Sequence, residues 1–536
     1  MAKIDVEIQH MVSPHVSHDS LELNRAGLEI SLRYTSGSML AYSLRLFIEK
    51  LTVSSLFVLV AGPSAAAAPL GSVVTVRLLT SISTYRSKPG TPFEAEVTTP
   101  LCEDGGRALP EGAIVRGVLR RVRKVGMGLI HESARLQLEF ESLTLADGRE
   151  YPIDARLVAI ENARERVDQH GAIRGIRATA TLSNHLSERL EFAALGHPAA
   201  LIPLLILESA AFPFADPEIE YGRGTEFELD LTPSPAAGIS GCAVAEPGFV
   251  PPQRERIQRL VNELPYWGYS TRGVPLDLVN LLFIGSPDEI RSTFAAAGWA
   301  GAQPNSARAG MTAIRAIADD AGYTDAPMRT LLLDGAAPDL RLQKSLNTFE
   351  KRDHLRIWKR NGKLDGNAIW ASAATRDTAV DFSIRPFGFT HRIEGEIDRE
   401  RDKVVNDLVF TGCVDSVGYF ARPANVRAAG GEYRKGLMTD GRIAVLTLNA
   451  CTGPRTFVPE PPDVDPPGLQ VRILRRIILT ARNHFVRDHA IWRAGDALRM
   501  GYLVVRSWER QRREERLASQ REETLNIQLQ ATPASQ

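Results

Sequence analysis

The sequence predicts a multidomain protein: an all-β small barrel or sandwich on the N-terminal side, an α+β domain with a mixed sheet, and a basic C-terminal helix. The first observation is length, because 536 residues exceed the roughly 250 to 300 at which a single core stops growing. The second is a change from short strand-like segments to longer elements after a linker at 236–252 that contains proline and glycine. The third is an arginine-rich stretch with apolar residues at helical spacing near the C-terminus.

Composition excludes several classes of protein. Hydrophobic residues make up 44% of the chain and charged residues 24%, close to the average of soluble globular domains. Basic and acidic residues are equal at 64 each, so no net field attracts nucleic acid and we expect no nucleic-acid partner. The sequence lacks G-x-G-x-x-G, G-K-[ST] and H-E-x-x-H patterns, so we expect neither a cofactor nor a metal.

The apolar segment 51–68 reads LTVSSLFVLVAGPSAAAA and follows a basic flank. A basic flank, an apolar run and an A-x-A end are the parts of a secretory signal. The segment lies too far from Met1 for an ordinary signal, so we expect translation to begin at Met39. Residues 39–68 are then the signal peptide and 1–38 a start-site artefact or disordered. The alternatives are an uncleaved membrane anchor and a buried apolar helix. The predicted location is periplasmic or extracytoplasmic, with membrane association as a further expectation.

Short segments rich in valine, leucine and isoleucine fill residues 69–235, and turn signals separate them. In ARLQLEFESLTLADG apolar and polar residues alternate with period two, and Asp147-Gly148 is a hairpin turn signal. This pattern predicts the barrel or sandwich. The apolar stretch from Leu190 to Phe214 contains three prolines, so we expect a loop or hairpin that contacts membrane or a partner, or a buried hairpin, and not a membrane-spanning helix.

Three phrases of this domain resemble the small β-barrel of the TrbI family of conjugation and secretion-channel proteins. They are LLTSISTYRSKPGTPFEAEVTTPL, ALPEGAIVRGVLRRV and GTEFELDL. The shared features are turns and strands, so the resemblance implies an architecture and no catalytic residue.

Longer elements fill residues 253–455. DLVNLLFIGS is an apolar run of strand length that leads into 286–289 (SPDE), where serine caps a helix, proline fits its first turn and the acids complement its dipole. A second helix is predicted from Ala307 to Ala321, and a charged one at IDRERDKVVNDLVF. Strands between these helices predict an α+β domain around a mixed sheet.

Five motifs of this domain, in this order, resemble the LssY C-terminal domain family. They are DLVNLLFIGSPDEIRSTFAAAGW, LRLQKSLNTFEKRDHLRIWKR, NAIWASAATRDTAV, THRIEGEIDRERDKVVNDLVFTGCVDSVGY and DGRIAVLTL. Members of that family occur alone and fused to DedA-like and phosphatidic-acid-phosphatase-like membrane domains. The resemblance implies work at the bacterial envelope, and it implies no particular reaction.

The candidate site residues of this domain are ionisable groups at strand ends and turns: His354, Arg356, Arg376, Asp377, His391, Arg392, Arg401 and Asp402. Spacing by two places His354 and Arg356 on one side of their strand. Arginine binds phosphate or carboxylate and histidine transfers protons, so a cleft lined by this set can bind an anion. In the alternative, Arg376-Asp377 and Arg401-Asp402 are ion pairs that lock a helix onto the sheet. Two histidines without a spaced third ligand define no metal site.

The four cysteines are Cys102, Cys242, Cys413 and Cys451, without a C-x-x-C pair. If the chain is exported, its compartment permits one or two disulfides. Cys413 and Cys451 fall in the same domain and are the pair to test, while three complete pairings and four unpaired thiols stay open.

The C-terminal part begins with a proline-rich hinge at 456–470. From 471 to 517, apolar residues such as Ile473 and Ile477 recur at helical spacing among a dozen arginines and no lysine. This basic amphipathic helix predicts contact with anionic lipid or an acidic partner. The alternative is packing on the second domain with a solvated arginine face. Residues 518–536 are predicted to be disordered.

Two functions are compatible with these features. The first is a non-enzymatic cell-envelope protein that works as a binding or interaction module, its partner an envelope protein or an anionic or phosphorylated ligand. The alternative is a hydrolase or transferase acting on a phosphorylated or lipid-linked envelope substrate, with His354 and His391 as acid/base groups and the arginines as anion ligands.

Overall fold

The computed structural model describes residues 73–482 with gaps, of which the longest are 232–247, 424–436 and 461–466, and six helical positions between 498 and 516. The predicted signal peptide, the predicted disordered tail and most of the predicted linker and hinge lie outside the described residues. From Pro69 onward the chain forms one compact unit.

The N-terminal part of the described chain is a nine-stranded antiparallel sheet that nearly closes into a barrel, accompanied by two short strand pairs. The strands of this part are β1 (Val73–Leu78), β2 (Ile82–Ser83), β3 (Pro92–Val97), β4 (Leu101–Cys102), β5 (Ala108–Leu109), β6 (Ile114–Arg123), β7 (Arg135–Thr144), β8 (Glu150–Pro152), β9 (Ala155–Ile160), β10 (Arg166–Val167), β11 (Ala172–Arg174), β12 (Glu220–Tyr221) and β13 (Glu226–Leu231). The order in the sheet is β10-β11-β7-β6-β3-β1-β13-β9, with β8 beside β7, and the short pairs are β2–β12 and β4–β5.

The barrel core follows from the alternation in β7, where Leu136, Leu138 and Phe140 are buried between more exposed polar residues. Phe140 meets Phe93 edge to face with ring centres 5.4 Å apart. Gly117 makes this contact possible, because a Cβ there would lie 2.2 Å from a backbone oxygen and 2.7 Å from the Phe93 ring. The predicted β-barrel-like sheet is therefore present, and it wraps around one apolar core.

The helices are α1 (Leu182–Ala194), α2 (Pro198–Ala211), α3 (Pro251–Glu263), α4 (Pro287–Ala296), α5 (Ala307–Asp319), α6 (Ile397–Phe410) and α7 (Leu469–Arg482). The apolar stretch that we expected to be a loop or hairpin is instead the end of α1 followed by α2, with Pro203 inside α2. Among the described residues, no helix combines the length and the apolar character needed to cross a membrane.

The second part of the chain is α+β. Its eight-stranded sheet has the order β17-β18-β19-β20-β16-β23-β22, with β21 beside β20, and it is mixed because β16 and β23 are parallel while the other pairs are antiparallel. The strands are β14 (Trp267–Tyr269), β15 (Pro275–Leu278), β16 (Leu281–Ile284), β17 (Ala300–Gly301), β18 (Leu340–Ser345), β19 (Arg352–Leu364), β20 (Asn367–Ile384), β21 (Phe387–Ile393), β22 (Val414–Ala421) and β23 (Arg442–Leu448). The predicted start of α4 is confirmed, since Ser286 and Glu289 form a reciprocal capping box.

The two faces of this sheet pack against different helices. On the side that we call the α6 face, Leu355 and Trp370 share a core with Val404 of α6. On the opposite side, the α3 face, Trp358 shares a core with Ile257 of α3. Because neighbouring residues of a strand point to opposite faces, adjacent residues of β19 and β20 belong to different environments.

Candidate functional site

The α3 face carries a cluster of polar side chains, which we call the His–Asp cluster: Arg352 and His354 from β19, Thr375 and Asp377 from β20, and His391 from β21. In the register of β19 and β20, Arg352 lies opposite Asp377 and His354 lies opposite Thr375. The antiparallel sheet therefore brings three segments of the chain to one point on its surface.

Asp377 is at the centre of the cluster. Its Oδ2 lies 3.0 Å from Nε of Arg352, 3.1 Å from Nδ1 of His391 and 3.6 Å from Nδ1 of His354. The side chain of Asp377 is 1% exposed and that of His391 20% exposed. His354 is held by a 2.8 Å hydrogen bond between its Nε2 and the hydroxyl of Thr375. Two imidazoles and one guanidinium thus surround a single buried carboxyl.

The protonation of this centre follows from burial. Burial raises the pKa of Asp377 to about 7, although Arg352 opposes the shift. Burial, reinforced by the charge of Arg352, lowers the pKa of His391 to about 3. Arginine can only donate, so its 3.3 Å contact with Nε2 of His391 places the imidazole proton on Nδ1, facing Asp377. The cluster therefore pairs a neutral imidazole with a carboxyl that titrates near neutral pH.

Arg352 is fixed by its neighbours on several sides. It donates to Oε1 of Gln343 at 3.1 Å, and Gln343 in turn donates to the carbonyl of Ala326 at 2.8 Å. Its guanidinium lies 4.8 Å from the ring centre of Phe349, and the Phe349 and His391 rings are 5.2 Å apart. The sequence analysis missed Arg352, although the same two-residue spacing that singles out His354 applies to it.

Arg356 and Arg376 lie apart from the cluster. Arg356 is on the α3 face, where it pairs with Asp277 and donates to the carbonyl of Arg329 at 3.1 Å. Arg376 points to the α6 face and pairs with Glu161 of the barrel at 3.0 Å. The two arginines are therefore bound to carboxylates of their own surroundings.

The remaining predicted residues are elsewhere. Arg401 pairs with Asp402 at 2.8 Å and with Asp440 at 2.7 Å, and it stacks 5.0 Å from the ring centre of Tyr419. Arg392 is exposed, and its carbonyl accepts a 3.2 Å hydrogen bond from Thr378. Of the eight candidates, the structure brings together His354, Asp377 and His391, and places Arg356 further along the same face.

The α6 face carries a second polar set, which the sequence analysis did not find. We call it the barrel interface cluster: Arg77 and Glu226 of the barrel, Lys344 of β18, and Lys403 and Asp407 of α6. Glu226 lies 2.6 Å from Arg77, 3.0 Å from Lys344 and 2.9 Å from Lys403. Burial alone would raise the pKa of Glu226, but the three cations hold it well below its usual range. Ion pairs therefore join the barrel to the sheet inside the protein.

Cys413 and Cys451 form a disulfide, with their Cα atoms 4.6 Å apart. The bond links the start of β22 to the segment that follows β23. It is the pair that the sequence analysis singled out. Among the described residues, no group of three or more histidine, cysteine, aspartate or glutamate side chains could hold a metal ion.

The fold and these contacts define a two-part protein in which a β-barrel is locked onto an α+β domain whose sheet carries a buried His–Asp cluster. Residues 262–443 match a family model described as LssY C-terminus, so this segment is an LssY C-terminal domain, as the motifs predicted. The match does not extend to the barrel, whose resemblance to TrbI stays a prediction. No curated protein matches the chain.

Proposed function

We propose that the chain works outside the cytoplasm as a binding or interaction module of the bacterial cell envelope. The observation that carries this proposal is the disulfide between Cys413 and Cys451. Disulfides persist in oxidising compartments and are rare in a reducing cytosol. The signal-like pattern at 39–68 supports the same compartment independently.

The contacts within the His–Asp cluster argue against turnover there and favour a structural role. Asp377 pairs with Arg352, His354 bonds to Thr375, and both Asp377 and His354 are almost fully buried. A catalytic acid or base must reach the proton that it transfers in a bound substrate. Side chains that bond to one another inside a sheet surface are better suited to holding β19, β20 and β21 together.

The compartment is tested by fractionating cells and determining the N-terminus and the thiol state of the protein. We expect a mature end near Ala67 or Pro69 in the extracytoplasmic fraction. We also expect Cys413 and Cys451 to resist maleimide until a reductant is added. A cytoplasmic chain that retains Met1 and labels at both cysteines without reduction would overturn the proposal.

A second candidate is a hydrolase or transferase for a phosphorylated or lipid-linked envelope substrate. One observation favours it: the carboxyl of Asp377, with a pKa raised by burial to about 7, faces two imidazoles and a guanidinium. The test is hydrolysis of p-nitrophenyl phosphate by the full chain. Activity that Asp377→Asn and His391→Gln abolish, and that the exposed-site control Asp288→Asn keeps, would establish it. Equal rates in all four proteins would exclude it for this substrate.

A further inference from the structure

The helices α1, α2 and α7 pack together with their polar residues inward. Nε of Arg476 on α7 lies 2.8 Å from Glu191 of α1 and 3.7 Å from Glu208 of α2. Arg476 also donates to the hydroxyl of Ser187 at 2.6 Å. All four residues are buried. A second α7 arginine, Arg482, is buried against Glu132 of the barrel. The predicted alternative of α7 on the second domain with a solvated arginine face is therefore wrong for these arginines.

Among the described side chains, the outward side of the same three helices carries many large apolar residues, and we call it the apolar helical surface. Its large side chains are between 43% and 66% exposed. They are Leu182, Leu186 and Leu190 of α1, Ile202, Ile206 and Leu207 of α2, and Val471, Leu474 and Ile477 of α7.

This arrangement is the reverse of a helix that packs in water, where the apolar stripe faces the core and charges face the solvent. Enclosing Arg476 with Glu191 and Glu208 removes hydration from three charges. Exposing nine aliphatic side chains to water forgoes the gain from burying them. The enclosed charged groups and the outward aliphatic side chains are both favourable when the surrounding medium is itself apolar, because polar groups must then find their partners inside the protein.

We propose that the apolar helical surface inserts into one leaflet of a phospholipid bilayer. The nine outward side chains are all aliphatic, whereas protein interfaces are enriched in aromatic residues and arginine. None of them can form a hydrogen bond, and hydrocarbon requires none. The lipid bilayer is then the partner of the proposed envelope protein. This inference rests on the proposed function only for the location outside the cytoplasm.

Helix length and flanking charge suit shallow insertion. α1 has 13 residues and α2 and α7 have 14, so each is about 20 Å long, less than the hydrocarbon core of about 30 Å. α5 packs against α1 and exposes Arg308 and Arg315. Basic side chains beside an apolar face match the anionic headgroups of a membrane surface.

The test is flotation of the purified full chain with vesicles of phosphatidylethanolamine and phosphatidylglycerol. We expect the wild type to float with the vesicles. The triple variant Ile202→Glu, Ile206→Glu, Leu207→Glu should lower the partition coefficient at least about tenfold, because charged side chains cannot enter hydrocarbon. Val250→Glu is the matched control, since Val250 is 56% exposed outside this surface, and it should bind like the wild type.

Thermal melting of each variant checks the fold, and Leu207→Glu alone, at a 66% exposed position, is the substitute if the triple variant does not fold. Binding unchanged by either variant would overturn the proposal. A wild type that ignores vesicles but is a dimer by light scattering, and that the variant converts to a monomer, would assign the surface to a second copy instead. Vesicle binding by a chain found reduced in the cytoplasm would overturn the envelope function alone.

Discussion

The two faces of the LssY C-terminal sheet both carry buried ionisable residues, but the charged partners of these residues come from different parts of the protein. Asp353 and His354 are neighbours on β19, and Arg376 and Asp377 are neighbours on β20. Alternation sends Asp353 and Arg376 to the α6 face, where they meet the barrel, and His354 and Asp377 to the α3 face. On the α6 face carboxylates and cations come from both parts of the protein, whereas those of the His–Asp cluster on the α3 face come from the sheet itself.

This difference sets the charge state of each cluster. Several cations surround Glu226 and hold its pKa well below its usual range, and carboxylates raise the pKa of Lys403 well above its own despite burial. These groups stay charged, and their attraction joins the barrel to the sheet. Asp377 faces one arginine and two imidazoles, so burial dominates and its pKa rises to about 7. The barrel interface cluster is therefore a permanent ionic lock, whereas Asp377 of the His–Asp cluster titrates near neutral pH.

The largest expected effect comes from disrupting the barrel interface cluster. Glu226→Gln leaves Arg77, Lys344 and Lys403 buried without their shared carboxylate. Removing one partner of a buried ion pair costs about 3–5 kcal/mol. We expect the free energy of unfolding in urea to fall by that amount at neutral pH.

The control for this variant is Glu94→Gln. Glu94 pairs with Arg116 at 2.9 Å, and its side chain is 43% exposed. Exposed pairs contribute at most about 1 kcal/mol, so this variant should unfold almost like the wild type. Equal losses in the two variants would show that the interface cluster does not hold the parts together.

The next effect compares one arginine from each face. Arg376→Met leaves Glu161, whose pKa Arg376 and Lys403 hold below its usual value despite burial, without the guanidinium 3.0 Å away, and we expect a loss of about 3 kcal/mol at pH 7. Arg352→Met leaves Asp377, whose pKa is already near neutrality and rises further without the guanidinium. The carboxyl of Asp377 is then protonated at pH 7, so we expect the free energy of unfolding to fall by only about 1 kcal/mol. Urea unfolding of both variants at one pH measures the difference, and an equal or reversed order would contradict the contrast between the faces.

Local signals predicted the elements of the fold that have local causes. The capping residues before α4 and the charged pattern of α6 predicted those helices where the structure has them. The stretch from Leu190 to Phe214 was misjudged because proline was taken as a helix breaker. Pro198 stands at the start of α2, where its missing N–H costs nothing. The polar contact that organises α1 joins Glu191 to Arg476, which local pattern rules cannot detect.

The sequence predicts on which face of the sheet each candidate side chain lies, but it does not predict which residue lies opposite it on the neighbouring strand. Asp365-Gly366, both with positive φ, is a hairpin signal between β19 and β20. Counting back from this turn would place Arg352 opposite Ala379, but an irregularity between Lys359 and Lys363 shifts the register so that Arg352 meets Asp377. A shift by two residues keeps every side chain on its face and changes its partner. The sequence therefore predicts the face on which His354 lies, while its partners depend on an irregularity whose local signal is Gly362, a strand glycine with positive φ.

The last comparison tests the titration of the α3 face. Folding raises the pKa of Asp377 from 3.8 to about 7 and lowers that of His391 from 6.5 to about 3. Between about pH 4 and 6.5 the folded protein holds one extra proton on Asp377, and the unfolded chain holds one extra on His391. The two contributions to the pH dependence of stability cancel in the wild type. Replacing either Asp377 or His391 should therefore reveal the contribution of the group that remains.

In His391→Gln only Asp377 remains, and the stability from its raised pKa is lost as pH rises from about 4 to 7. In Asp377→Asn only His391 remains, and the stability from its lowered pKa is lost as pH falls below about 6.5. Relative to the wild type, the free energy of unfolding should therefore change by about 1.4 kcal/mol per pH unit, with opposite signs in the two variants. Urea unfolding across this range measures both slopes. Slopes near zero in both variants would mean that Asp377 is ionised and His391 protonated in the folded protein as in the unfolded chain, and the α3 face would then be a second ionic lock.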